Sequence, residues 1–135
     1  MTLKELSQLY YLNREIEMDQ QRLEELRAKA ENPGGGQLSG MPRNPTVESK
    51  LERYVAEMVD LTVIIHAKQQ QCIHERNRLE RYINDITDSL TRMIFTLRFI
   101  NGLNWVQVAA HIGGGNTEAG VKQRFYRYIR AIGLK

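Results

Sequence analysis

An uninterrupted helical pattern occupies the middle of the chain and constrains its fold more than any other feature. Between Thr46 and Asn101 the sequence contains neither glycine nor proline, the residues that most readily end a helix. Apolar residues recur there at intervals of seven, the spacing of helices that pack side by side. They are Leu51, Met58, Ile65, Cys72, Leu79 and Ile86, with Leu61 and Tyr82 at intermediate positions. The pattern predicts one long helix with a bend near residues 85–89.

A shorter heptad pattern precedes this helix. Its apolar positions are Leu9, Leu12, Ile16, Leu23, Leu26 and Ala30, and Asp19 interrupts it at one core position. The two patterns are separated by NPGGGQLSGMPRNP, residues 32–45, which contains all three prolines and four of the ten glycines. No helix continues through such a segment, so we predict a helix from Thr2 to about Ala30 and a loop at 32–45. Residues 1–85 are therefore predicted to form a helical hairpin or coiled-coil region.

The two predicted helices are unequal in length. At roughly 1.5 Å per residue the first spans about 42 Å, whereas Thr46 to Asp85 alone spans about 60 Å. The first helix therefore cannot cover the whole apolar stripe of the second, and Cys72, Leu79 and Ile86 need another partner. That partner is either the C-terminal part of the chain or a second copy. We favour a homodimer, because uncovered heptads are the usual contact surface of coiled coils.

Residues 86–135 are predicted to form three short helices. The first has one apolar face, ended by Gly102 and made of Ile86, Leu90, Met93, Ile94, Leu97 and Ile100. The second begins at the capping box NWVQ and has its own apolar face, formed by Trp105, Val108, Ala109 and Ile112. The third follows GGGNT, with an apolar face at Val121, Phe125, Tyr128, Ile129 and Ile132. We expect the Trp105 indole to be buried among Ile94, Leu97, Val121 and Phe125.

The outer face of the third helix is basic and bears amide and aromatic side chains. Together with the three-helix pattern, this face is typical of a helix-turn-helix, whose last helix enters the major groove of DNA. We expect Gln123 and Lys122 to contact bases, and Arg124, Arg127 and Arg130 to contact phosphates. The full set of predicted DNA-binding residues is Thr117, Glu118, Ala119, Lys122, Gln123, Arg124, Tyr126, Arg127 and Arg130.

Charge and composition favour a polyanionic partner. Residues 86–135 contain seven Lys and Arg against two acids, Asp88 and Glu118, whereas residues 1–85 carry a small acidic excess. The single cysteine and the lack of an apolar run of eighteen residues predict a cytoplasmic chain that is not inserted in a membrane. The glycine run lacks the Lys-Ser/Thr of a phosphate-binding loop, and the histidines lack the spacing of metal ligands. We expect no catalytic activity, metal or cofactor.

The residues of the C-terminal region also carry a resemblance to a known family. The segment ITDSLTRMIFTLRFINGLNWVQVAAHIG resembles the helix-turn-helix of the sigma-factor domain that reads the upstream promoter element. In TEAGVKQRF, Val121 is similar to the buried aliphatic residue of that motif, and Lys122 and Gln123 are similar to its Arg-Gln pair. The whole chain resembles small bacteriophage-encoded transcription regulators with sigma-like C-termini. The resemblance implies an all-α fold, binding to double-stranded DNA and host RNA polymerase as a candidate partner.

The chain also departs from the sigma pattern. Its turn is about two residues longer, and Glu118 and Ala119 stand where sigma factors commonly present an Arg and a Glu to bases. We therefore expect a different DNA specificity. The chain also lacks the sigma domain that melts promoter DNA and makes the main polymerase contact, so we expect it not to act as a complete sigma factor.

We interpret the chain as a sequence-specific DNA-binding transcription regulator, with residues 86–135 as its DNA-binding domain. One alternative is a DNA-packaging component such as a small terminase subunit, which also joins a helix-turn-helix to an oligomerising helical region. A second is a coiled-coil scaffold that binds protein partners and no DNA. In a third, the segment from Lys122 to Arg130 is only the solvated face of a helical bundle.

Overall fold

The computed structural model describes residues 1–32 and 45–135, with side chains described for 1–32 and 49–135. These residues form helices and no strand, so the predicted all-α class is confirmed. The helices are α1 (Leu3–Glu31), α2 (Pro45–Asn84), α3 (Ser89–Phe95) with a π-helical turn (Thr96–Ile100), α4 (Trp105–Ile112) and α5 (Glu118–Ile132). Most of the loop predicted at 32–45 lies outside the described residues.

The chain divides into two compact units, and the division differs from the predicted boundary at residues 85 and 86. The first unit comprises Met1–Asn13 and Gln71–Lys135, and the second comprises Arg14–Gln70. Each unit therefore contains part of α1 and part of α2. The physical reason is that Leu6 and Leu79, from these two helices, belong to the same buried core as the C-terminal helices.

The second unit holds segments of α1 and α2 together through apolar contacts and one ion pair. Its buried apolar residues are Ile16, Leu26, Leu61 and Ile65. Asp19, the residue that interrupts the first heptad pattern, accepts a hydrogen bond of 2.6 Å from the Lys68 ammonium. Lys68 lies seven residues after Leu61, at the equivalent position of the second pattern. The interruption in α1 is thus matched by a cation in α2.

The first unit contains the main core, and this core covers the apolar stripe that motivated the homodimer prediction. Leu79 and Ile86 are 1% and 3% exposed, and both belong to a cluster that includes Phe95, Val108 and Phe125. Cys72 packs against the same cluster. The inference that this stripe needs a second copy of the chain was therefore wrong: of the two partners considered, the C-terminal helices of the same chain cover it.

A break between α2 and α3 replaces the predicted bend. The long helix ends at Asn84, and the side chain of Asp88 caps α3 by accepting a hydrogen bond of 3.1 Å from the Thr91 backbone N–H. The Arg92 guanidinium donates to the backbone carbonyls of Ile86 and Thr87, at 2.7 and 3.1 Å. These side chains satisfy backbone groups that a continuous helix would have paired, so the chain turns here without glycine or proline.

The predicted boundaries of α4 agree closely with the structure. Gly102 adopts a φ of 69°, which only glycine adopts readily, and follows the π-helical turn as expected for a residue that ends a helix. Asn104 and Gln107 form the predicted capping box, with bonds of 2.9 and 3.0 Å. The reciprocal bonds fix the start of α4 and so the direction in which it leaves the turn.

Candidate nucleic-acid interface

A short glycine-rich turn connects α4 to α5 and sets the orientation of α5. Gly113 ends α4 with a φ of 68° and a ψ of −150°, a region open almost only to glycine. The Asn116 side-chain amide donates to the Gly113 carbonyl at 2.8 Å. The Thr117 hydroxyl accepts from the Gly120 N–H at 3.0 Å and caps α5. The turn is therefore ordered by local hydrogen bonds, and Thr117 serves as a cap as well as a predicted contact residue.

Helix α5 has one buried face and one exposed face. Val121, Phe125 and Ile129 are 1%, 3% and 5% exposed and pack into the main core. All nine predicted DNA-binding residues are exposed: Thr117, Glu118, Ala119, Lys122, Gln123, Arg124, Tyr126, Arg127 and Arg130. At about 100° per residue, Gln123, Arg127 and Arg130 lie opposite the buried face, Tyr126 lies beside them, and Lys122 lies at the edge of the exposed side, next to Ile129. The buried residues thus orient this set outward.

The exposed face of α5 carries a positive charge that is available to a partner. Within the part of the chain that the structure describes, Lys122, Arg127 and Arg130 take part in no ion pair. Glu118 is the acid of the first turn, where it interacts favourably with the helix dipole. Three cations on one exposed helix face form a surface suited to an extended anion.

Arg124, which is predicted to contact a phosphate, also binds an acidic side chain of the chain itself. Its guanidinium donates to the Asp88 carboxylate at 2.7 Å, on the side of α5 that packs against α3. The hydrogen bond from the Thr91 hydroxyl, followed by those from the Arg124 guanidinium and the Thr91 backbone N–H, lowers the pKa of Asp88 to about 2. Arg124 therefore links α5 to the start of α3, and a phosphate would have to compete with Asp88 for it.

Trp105 lies at the edge of the core. It packs against the core as predicted, but its side chain is less buried than predicted. The side chain is half-buried, with its ring 5.1 Å from that of Phe125 and 6.5 Å from that of Tyr126. The Arg98 guanidinium lies 4.8 Å from the Trp105 ring and donates to the Leu103 carbonyl at 2.9 Å. Sequence reasoning missed Arg98, because its proximity to Trp105 depends on the turn between them.

Two other residues of the predicted apolar faces are exposed. Met93 of α3 and Ile132 of α5 are 43% and 45% exposed. Ile132 is the last residue of its helix, since Gly133 follows in the left-handed conformation and ends α5. Met93 lies beside a pocket that also contains Leu97 and His111, outside the packed core. The core thus contains fewer residues of these apolar faces than the periodicity predicted.

Comparison with known proteins adds no assignment: no family model, curated protein or solved structure matches the chain. Among the described residues, no helix is both long and apolar enough to cross a membrane. The α5 face and the contacts that orient it are therefore the observations on which a function can be argued.

Proposed function

We propose that the protein is a sequence-specific DNA-binding transcription regulator that inserts α5 into the major groove. The observation that carries the proposal is the division of α5 into two faces. Its apolar side is held in the core by Val121, Phe125 and Ile129, while its opposite side exposes cations and an amide. The order of elements, a short helix and a tight turn followed by such a helix, is the order found in helix-turn-helix proteins that read DNA, and it supports the proposal.

The proposed roles follow from position on α5 and from side-chain chemistry. Gln123 lies opposite the buried face, near the start of the helix, and its amide can pair with the two major-groove edge atoms of adenine. Lys122 lies beside it and can donate to guanine. Arg127 and Arg130 are one and two turns further along and are suited to phosphates. Arg124 is assigned a positioning role through Asp88.

The remaining parts of the proposal rest on the resemblance to sigma-like regulators. On the basis of this resemblance we propose that a bacteriophage or prophage encodes the protein and that host RNA polymerase is a partner. An affinity experiment with purified bacterial polymerase tests that partner separately from DNA. DNA binding as proposed here does not require a homodimer, since the stripe that suggested one is covered within the chain.

Two substitutions separate base reading from simple charge attraction. We expect Gln123→Ala to reduce the preference for the cognate site by about 1–3 kcal/mol while leaving the salt dependence almost unchanged. Arg130→Ala should weaken binding to all sequences alike and lower the salt slope by about one. The site is first found by sequencing genomic fragments that the protein retains, and binding is then measured on cognate and scrambled duplexes at several salt concentrations.

Arg22 provides a matched control, because it is an exposed arginine of α1 outside the α5 face. Arg22→Ala should change neither preference nor salt slope. If Gln123→Ala and Arg130→Ala both lower affinity uniformly, α5 does not read bases. If none of the fragments is enriched and binding is insensitive to salt, the proposed function is wrong as a whole.

A further inference from the structure

Helix α2 carries a second apolar strip that the second compact unit leaves exposed. Leu51, Val55, Val59 and Val63 follow one another at intervals of four and are 37%, 47%, 59% and 64% exposed. Single exposed apolar side chains are normal on a protein surface, but four large ones in a row along one helix form a continuous apolar patch.

This strip lies on a different side of α2 from the residues that the unit buries. At about 100° per residue, the strip spans roughly 120° of the helix circumference, and its centre is about 120° from that of Leu61 and Ile65. Leu61 and Ile65 are 8% and 7% exposed. The internal contacts of the unit therefore account for one face of α2 and leave the strip available to a partner.

The residues around Val59 are arranged symmetrically about it along the helix. Val55 and Val63 stand four residues to either side of Val59, and Glu52 and His66 stand seven residues to either side. All five are exposed and belong to the same side of the helix. When two copies of α2 pack antiparallel with Val59 at the crossing point, Val55 of each copy faces Val63 of the other.

In such a pair of helices the Glu52 carboxylate of each copy lies opposite the His66 ring of the other, one such contact on each side of the apolar centre. Ala56 and Thr62, three residues to either side of Val59, put small side chains beside the crossing point and allow close approach. A surface that complements itself about a two-fold axis is what a symmetric dimer requires.

We propose that the Val59 face of α2, residues 51–66, binds a second copy of this chain in an antiparallel helix pair. The proposal differs from the homodimer that Cys72, Leu79 and Ile86 suggested, because those three residues belong to or pack against the chain's own core. It is also independent of DNA binding, since it concerns only α2 and is tested without DNA.

The first test measures the mass of the full chain in solution over a range of concentrations, by sedimentation equilibrium. The unmodified protein should show a concentration-dependent dimer. Val59→Asp should raise the dissociation constant at least about tenfold, because two carboxylates then face each other at the crossing point. Ile64→Asp is the matched control: Ile64 is a β-branched residue of the same helix, 46% exposed, on another side of it. This variant should dimerise like the unmodified protein.

A charge exchange tests the antiparallel register. Glu52→Lys should weaken the dimer, because it replaces the carboxylate that accepts from His66 by a group that cannot accept a hydrogen bond. Adding His66→Glu in the same chain should restore it, because a lysine of each copy then faces a glutamate of the other. Since all these positions are exposed, circular dichroism should show unchanged helix content in every variant.

Three results would overturn the proposal. A monomer at every concentration would show that the face binds no second copy. Equal effects of Val59→Asp and Ile64→Asp would show that any dimer forms through another surface. Failure of His66→Glu to restore the Glu52→Lys variant would exclude the antiparallel pairing centred on Val59.

Discussion

At the scale of single residues, Asp88 shows how one side chain serves two purposes. Its carboxylate caps α3 through Thr91 and binds the Arg124 guanidinium of α5. These hydrogen bonds stabilise the ionised form, which is why the pKa falls from 3.8 to about 2. The residue thereby connects the start of one helix to the side of the helix that we propose reads DNA.

The lowered pKa predicts how Asp88 contributes to stability as pH changes. A depressed pKa in the folded state means that the stabilisation is present above pH 3.8 and is lost as pH falls towards 2. Asn can still cap a helix but cannot be ionised. We therefore expect Asp88→Asn to lower the melting temperature at pH 6, and the difference from the unmodified protein to shrink between pH 4 and 2. Thermal unfolding followed by circular dichroism measures it. A difference that stays constant over this range would contradict the role of the ionised carboxylate.

Trp105 permits a second test at this scale. The indole is half-buried, lies 5.1 Å from the Phe125 ring and packs under the Arg98 guanidinium. Trp105→Ala should therefore cost about 2–3 kcal/mol, less than the 3–5 kcal/mol typical of a fully buried aromatic residue. Urea denaturation gives the value. Trp105→Phe, which keeps an aromatic contact with Phe125, should lose much less. A cost near zero for Trp105→Ala would show that the indole is not part of the packing.

At the scale of secondary-structure elements, Asp19 and Lys68 match polar positions of two heptad patterns. The side chains are 21% and 25% exposed and are joined at 2.6 Å, and Glu15 lies 3.4 Å from the same ammonium. The hydrogen bond to Asp19 raises the pKa of Lys68 and keeps it charged. We expect this pair to contribute less to stability than to the register of the two helices, because any shifted packing of the segments would separate the two charges.

Comparing a single with a double substitution tests how much this ion pair contributes to stability. Lys68→Met leaves the partly buried Asp19 without its main partner and should cost about 1 kcal/mol. Replacing both residues by leucine should be neutral or stabilising, because no charge is then left unpaired. Urea denaturation of the single and double variants measures both values. If the double leucine variant is less stable than Lys68→Met, the ion pair is itself a major source of stability.

At the scale of the whole molecule, the main core draws on residues from both ends of the sequence. Leu6 and Leu9 of α1 join Leu79 and Ile83 of α2 and the aromatic residues of the C-terminal helices. Phe95, which is fully buried, has ring centroids of Phe99, Phe125 and Tyr128 within 5.3–5.6 Å of its own. Because this core forms within one chain, the unit does not depend on a second copy to bury it.

Leu79 tests this conclusion. Leu79→Asp places a carboxylate where the side chain is 1% exposed and should destabilise the chain by at least about 3 kcal/mol. We expect loss of the cooperative unfolding transition by circular dichroism at every protein concentration. Ile64→Asp, at an exposed position of the same helix, should keep it. A folded but monomeric Leu79→Asp variant would show instead that this residue lies at an interface between copies.

The sequence alone determined the features that depend on neighbouring residues. The capping box of Asn104 and Gln107, the cap at Thr117 and the positive φ of Gly102 were all predictable, because each arises from backbone groups within a few residues. Heptad spacing likewise predicted that α1 and α2 are long helices. The exposed side of α5 followed from its 3.6-residue period, since its apolar residues must face a core.

Only the tertiary structure decided which faces meet. Asp88 binds Arg124 across 36 residues of sequence, and Asp19 binds Lys68 across 49. Periodicity shows that Leu79 belongs to an apolar stripe that must be buried. A second copy of the chain and the chain's own helices could cover this stripe equally well. The choice depends on the turn at residues 85–88, which Arg92 and Asp88 stabilise through bonds that no repeat pattern encodes. Packing at that turn places the C-terminal helices against the Leu79 stripe, so the chain covers it without a second copy.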